Sequence, residues 1–128
     1  RLHHGFIDAA PDGPFDGASS LLTFHFISRE ARHETLRAIR RRLKPGAPFV
    51  IAHVSFDQHE PARSQWIARH VAFAGTDPAQ AEAARHAIAT KLSVLSPDDD
   101  EAMLREAGFS GVSLFYAGFS FRGWVGYA

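Results

Sequence analysis

One pattern limits the folds open to this chain more than any other: an apolar run, an amphipathic stretch and a second apolar run follow one another between Gly17 and Val54. The first, Gly17 to Ile27, begins with small residues and shows no clean alternation, which suits a strand covered on both faces. Ser28 is placed to cap a helix with Glu30 in its first turn, and Leu36, Ile39 and Leu43 fall on one face of that helix. The basic run Arg40 to Arg42 with Lys44 complements the negative end of the helix dipole, and Pro45-Gly46 ends the helix. Pro48 to Val54 is the second buried strand. Strand, helix and strand in this order make a βαβ unit, whose parallel crossover is right-handed in nearly all proteins. The fold class expected is α/β.

The flanking sequence fills in the rest. A loop rich in turn formers, Asp8 to Asp16, precedes the first strand. From about 60 to 95 the chain reads as a helical insertion: Pro61 to Ala74 is one helix, and Asp77-Pro78-Ala79-Gln80 supplies a cap and a first-turn proline for an alanine-rich second. Ser96-Pro97 starts a further helix that buries Met103, Leu104 and Ala107 and stops at Gly108. Two strands close the chain, Val112 to Tyr116 and Phe119 to Tyr127, with Ala117-Gly118 expected as the hairpin connection. With 128 residues, 45% of them hydrophobic, residues 1–128 are expected to form a single domain that buries roughly two thirds of its unfolded surface.

Charge and composition remove several function classes. Lys+Arg and Asp+Glu are both 14, so no long-range field draws the chain to nucleic acid or an anionic membrane. The absence of cysteine excludes disulfides, thiolate metal sites and thiol nucleophiles, and fits a reducing, cytoplasmic setting. No apolar run approaches the roughly 20 residues of a spanning helix. The chain starts at Arg1, and Leu2-His3-His4-Gly5 reads as the tail of an element begun earlier, so a truncated chain is expected.

The order of elements, together with Gly5 to Pro11, Pro14-Phe15-Asp16, Leu43-Lys44-Pro45-Gly46 and Leu104-Arg105-Glu106-Ala107-Gly108-Phe109, resembles the second half of class I S-adenosylmethionine (SAM) dependent methyltransferases, which are Rossmann-like. Phe121-Arg122-Gly123-Trp124 resembles the last strand of a small-molecule branch of that family. The resemblance implies a partial sheet of the fourth to seventh strands with a remnant of the third, SAM as cofactor, and methyl transfer to a small-molecule acceptor. It places the first strand and its glycine-rich loop upstream, and none of the ten glycines here forms G-x-G-x-x-G.

The resemblance also implies a set of site residues. Phe6, Ile7 and Asp8 align with the turn after the third strand, which flanks the cofactor adenine. Phe6 stands where relatives often carry an acidic residue, offering stacking in place of a hydrogen bond, and Asp8 serves equally as a turn aspartate bonded to its own backbone. Ser20, Leu21 and Leu22 end the fourth strand beside the methionine part of the cofactor, since open α/β sheets bind ligands outside the carboxyl ends of their strands; the serines equally allow a helix to pack close. His25 follows that strand and is the candidate catalytic base, with a packed core histidine as the alternative. His53, Phe56 and Trp66 are candidates for acceptor binding, and the aromatics read equally as core.

No metal site is expected, because the eight histidines lack ligand spacing. Asp98 to Glu101 reads as a helix start and Arg40 to Lys44 as a solvated helix end. A second functional class stays open: a half-domain without chemistry that acts as a dimerisation or interaction module. If the family order applies, the Gly17 to Ile27 strand would lack its first-strand neighbour, and a bare strand edge seeks a partner. That partner would be a second copy, as a homodimer, or a missing N-terminal segment.

Overall fold

A computed structural model describes residues 2–128. Its centre is the expected βαβ unit: β1 (Ala18–Leu21), α1 (Arg29–Arg41) and β2 (Pro48–Val54), with β1 and β2 parallel and Ser19 opposite Val50. The Ser28 hydroxyl accepts the Ala31 N–H at 3.3 Å, capping α1 as its sequence suggests. Two strands complete the sheet, β3 (Ser110–Gly118) and β4 (Phe121–Tyr127), in the order β1-β2-β4-β3. β4 runs antiparallel between β2 and β3, so the closing hairpin is inserted beside β2 rather than added at the far edge. This is the partial Rossmann-like sheet that the resemblance implies, with four strands and four α-helices among the described residues.

Three local expectations are corrected. The first strand spans only Ala18–Leu21, because Leu22 takes a left-handed φ of 59° and the chain then winds into a single 3-10 turn, Phe24–Phe26. β1 forms an edge of the sheet, as expected of a strand without its first-strand neighbour, with Leu21 60% and Leu22 56% exposed. The hairpin turns at Phe119-Ser120 rather than at Ala117-Gly118, with Phe119 in the left-handed region at φ 56°. A remnant of the third strand is not formed; residues 2–6 carry no strand, and Ile7–Ala9 is a short 3-10 turn.

The main core lies on one face of the sheet, under α1 and α4 (Pro97–Glu106). Leu36 and Ile39 from α1, Met103 and Leu104 from α4, and Phe49, Ile51 and Trp124 from the strands interlock there. The phasing explains it: odd positions of β2 face α1 and α4, while β4 sends Trp124 to the same side opposite Ile51. α4 is capped by Ser96, whose hydroxyl accepts the Asp99 N–H, and it ends where Gly108 takes φ 97°, a conformation that favours glycine.

The helical insertion forms as α2 (Ala62–Phe73) and α3 (Ala81–Lys91), the latter led by a 3-10 turn at Pro78–Gln80 that Asp77 caps. It sits at the end of β2 around a smaller core of Val54, Phe56 and Ile67. No helix among the described residues is long and apolar enough to cross a membrane.

Candidate functional site

The carboxyl ends of β1 and β2 point the same way, and the start of β4 meets them there, since Val54 pairs with Phe121. The residues that the sequence marks for chemistry are not gathered in one place. Beside β1 lies a cleft of about 430 Å³, walled by Phe6, Ile7 and Ser20 and floored by Phe24, Ile39 and Phe49. That volume falls in the range of small-molecule sites, roughly 300–1,000 Å³. Three of the six residues expected at the cofactor therefore share one apolar cleft. Leu21 and Leu22 lie just beyond it, exposed at the carboxyl end of β1. Asp8 is not among the residues that line the cleft; its Oδ1 accepts the N–H of Ala9 at 3.0 Å, as a turn aspartate does.

The two candidate histidines are buried. His25, 6% exposed, accepts the Val54 N–H on Nδ1 at 3.4 Å, and its own carbonyl accepts the Ser93 N–H at 2.9 Å. Burial above all, with lesser contributions from His53, Arg32 and His70, pushes its pKa down to about 4. At neutral pH it is an uncharged ring whose Nδ1 lone pair is engaged by backbone. His53, 1% exposed, lies between Phe24 at 6.0 Å and Trp124 at 5.5 Å. Its Nε2 comes within 3.1 Å of Asp100 Oδ1, but neither ring nitrogen has a hydrogen bond of good geometry.

Phe56 is likewise sealed, stacked on Trp66 at 6.2 Å within the smaller core. Trp66 is the more open of the two. Its ring meets the edge of Phe119 at 5.7 Å and lies within 6.0 Å of the guanidinium groups of Arg69 and Arg122. Phe73, 75% exposed, packs on Phe119 at 5.0 Å, so α2 and the hairpin turn share an aromatic rim at the same end of the sheet.

Sequence reading missed the polar group that ties this end together. Arg32 and Asp100, 1% and 4% exposed, form a buried ion pair at 2.9 Å between α1 and α4. Arg32 stands four residues before Leu36, on the stripe that continues to Ile39 and Leu43, so helical spacing already marks it as inward. His70 was missed as well; its Nδ1 lies 2.7 Å from the buried Ser120 hydroxyl, and burial lowers its pKa. Among the described residues no group of histidines and carboxylates is arranged to hold a metal ion.

No family model and no curated protein matches the sequence. Solved structures do match. The S-adenosylmethionine-dependent methyltransferase SibL in its apo form is similar over 99% of this chain and 35% of its own, at 18% identity and a TM-score of 0.70. Human N-acetylserotonin methyltransferase in complex with SAM is similar over 98% of this chain and 32% of its own, at 15% identity and a TM-score of 0.68. PigF with SAH is similar over 94% and 32%, at 18% identity and 0.63. The chain thus spans about a third of the length of these proteins. Likeness at such identities speaks for architecture, and the architecture is plain: this chain carries the fold of part of a class I SAM-dependent methyltransferase.

Proposed function

We propose that the chain is the C-terminal half of a SAM-dependent methyltransferase domain that acts on a small-molecule acceptor, and that it supplies one wall of the cofactor site. The observation that carries this reading is the cleft that runs along β1 from Phe15 and Ala18 to Thr23, where Phe6, Ile7 and Ser20 meet at the edge of a parallel strand. Open α/β sheets take their ligands outside the carboxyl ends of their strands, where Ser20 and Thr23 close this cleft. The residues fit the group: Phe6 offers a 90% exposed ring for a flat base, Ser20 is small enough to admit a chain beside it, and Leu21 and Leu22 form an apolar lip.

SAM, when bound, supplies a methyl group already activated by a sulfonium, so that an acceptor lone pair forms the new bond to carbon as the carbon–sulfur bond breaks. The protein's share is therefore placement and exclusion of water, for which orientation alone can be worth ~7–11 kcal/mol. Leu21, Leu22 and the neighbouring Phe26, 68% exposed, provide apolar surface for that exclusion. The aromatic rim of Trp66, Phe73 and Phe119 would face the acceptor, and the α2–α3 insertion would wall its pocket. His25 remains the proposed catalytic histidine on condition that it exchanges its Val54 hydrogen bond for one to the acceptor; His53 and Phe56 would shape the pocket from behind.

Titration of S-adenosylhomocysteine (SAH) into the 128-residue chain, followed by amide NMR, tests the reading. Resonances of Phe6, Ile7, Ser20, Leu21 and Leu22 are expected to shift together and saturably. Absence of any shift up to the solubility of the ligand sinks it. One observation favours a second reading: β1 is an edge strand with two exposed leucines at its end. An interaction module pairing through β1, as a homodimer, would show no SAH response together with a stable dimer in sedimentation, disrupted by Ser19→Pro.

A further inference from the structure

A single guanidinium joins four segments of the chain beneath the β1 turn. Arg32 Nη2 donates to the carbonyl oxygens of Phe24 at 2.8 Å, Ile27 at 3.5 Å and Ser93, and Nη1 donates to Asp100 Oδ1 at 2.9 Å. Phe24 and Ile27 bracket the 3-10 turn, Ser93 ends the helical insertion, and Asp100 lies on α4. His25 fastens the same turn twice more, through its carbonyl to the Ser93 N–H and through Nδ1 to the Val54 N–H. The inner side of the turn is thus held by bonds to Arg32 on α1, to the end of the insertion and to β2, while α4 reaches it only through Asp100 and Arg32. Its outer side is open, with Leu22 and Phe26 exposed.

Stability alone is a poor account of this group. A buried ion pair loses in desolvation about what it gains in attraction, and an apolar pair of similar volume often serves as well or better. Here satisfaction is incomplete besides: Arg32 Nε, Asp100 Oδ2 and both nitrogens of His53 are buried with no hydrogen-bond partner. What an apolar pair could not supply is donors for carbonyls of a chain that has just left the sheet. Buried carbonyls need such donors, and the planar guanidinium fork offers several at fixed angles where a lysine offers one compact charge. Leu22, held in the left-handed region at the head of this turn, also needs a firm support behind it.

We propose that Arg32, with Asp100 as its anchor, is a positioning residue: it fixes the 24–27 turn against the end of the helical insertion and so sets Leu21 and Leu22 at the mouth of the cleft. The proposal rests on the methyltransferase reading for the identity of the ligand. It makes the turn and the insertion one mechanical unit, so that a ligand touching Leu21 and Leu22 is felt at Ser93 and Val54, on the far side of the turn.

The test compares the wild-type chain with Arg32→Met/Asp100→Leu, which removes both charges and keeps apolar bulk. The double variant is expected to fold with a melting temperature near that of the wild type, to exchange the Ser93 and Val54 amides faster, and to bind SAH about tenfold more weakly, a loss confined to the clamp. A folded double variant with wild-type exchange at both amides and wild-type SAH affinity overturns the proposal. Arg32→Lys, which keeps the charge and loses the fork, is expected to behave like the double variant, and wild-type behaviour in it is equally fatal. Should neither variant fold, exchange in the wild type decides: SAH is expected to slow the Ser93 and Val54 amides and leave Tyr116 on β3 unchanged, and no slowing at Ser93 and Val54 refutes the coupling. A wild-type chain that fails to bind SAH removes the methyltransferase reading, while faster exchange in the variants still decides whether the clamp exists.

Discussion

Two helices of similar length lie on opposite sides of the question of what holds this molecule together. α1 has 13 residues and buries Arg32, Leu36, Ala38 and Ile39 against β2 and α4; α3 has 11 and buries none. α1 is capped by Ser28 and α3 is led by a 3-10 turn that Asp77 caps, and both carry good helix formers. The difference is the stripe. In α1, apolar residues recur at the spacing that keeps them on one face, and the sheet offers Phe49 and Ile51 to receive them. In α3, alanines are spread around the helix, and only Ile88 and Ala89 reach the smaller core. Helix formation in proteins depends on a face to bury more than on propensity, so α1 is structural in a way that α3 is not. The α2–α3 region is held instead by the smaller core of Val54, Phe56 and Ile67 at the end of β2.

The widest test of this contrast is truncation of one residue in each region. Leu36→Ala opens a cavity in the main core and is expected to cost about 3 kcal/mol, within the range for buried leucines. Ile88→Ala is expected to cost about 1 kcal/mol or less, since its surroundings can close over the gap. Denaturant unfolding of both variants measures the difference. Equal losses would mean that the insertion is as much a part of the cooperative core as α1 is.

Acid should act on the junction between the regions. His25 has its pKa pushed down from 6.5 to about 4, chiefly by burial, so between these values the unfolded chain binds a proton that the folded chain refuses. Stability contributed by the neutral ring is complete above about pH 6.5 and is lost as pH falls toward 4, by as much as about 3 kcal/mol. His70, lowered for the same reason, adds in the same direction. His25→Asn, which keeps a short polar side chain beside the Val54 N–H, is expected to flatten most of this slope in unfolding measured across the pH range. An unchanged slope would place the acid sensitivity elsewhere.

How far the sequence spoke for itself differs between the two regions and the loops that join them. The βαβ unit, the caps at Ser28, Asp77 and Ser96, and the stop at Gly108 were legible because each rests on a local rule of period or hydrogen bonding. The end of β1 was not, because it turns on Leu22 in a left-handed conformation, which leucine does not advertise. The hairpin failed for the mirror-image reason: Gly118 looked like the turn residue, but the left-handed position falls on Phe119, pinned by Phe73 and Trp66. In the candidate site, the resemblance singled out Phe6, Ile7 and Ser20, which the structure brings to one cleft. For His25, His53 and Phe56 the sequence left burial and a role in the site both open, since a side chain's exposure depends on elements distant in sequence; the structure buries all three. Arg32 was hidden by its charge, which reads as solvent-facing although its spacing places it with Leu36 and Ile39.

The finest test concerns the caps, where chemistry is matched and context differs. Ser96 accepts the Asp99 N–H at 3.2 Å and donates to Asp99 Oδ2 at 2.7 Å at the head of α4, a helix that buries Asp100, Met103 and Leu104. Asp77 accepts the Ala79 N–H at 2.9 Å at the turn leading into α3, which buries nothing. Removing a cap typically costs about 1 kcal/mol when the helix cannot fray without losing packing. Ser96→Ala is therefore expected to lower global stability by about that amount. Asp77→Ala should lower it by no more than a few tenths, because the first turn of α3 can unravel alone; the loss should instead register as faster amide exchange confined to residues 79–84. If Asp77→Ala were to destabilise the whole chain as much as Ser96→Ala, α3 would have to be coupled to the sheet by more than Ile88 and Ala89, and the distinction between a core helix and a peripheral one would fail at its smallest scale.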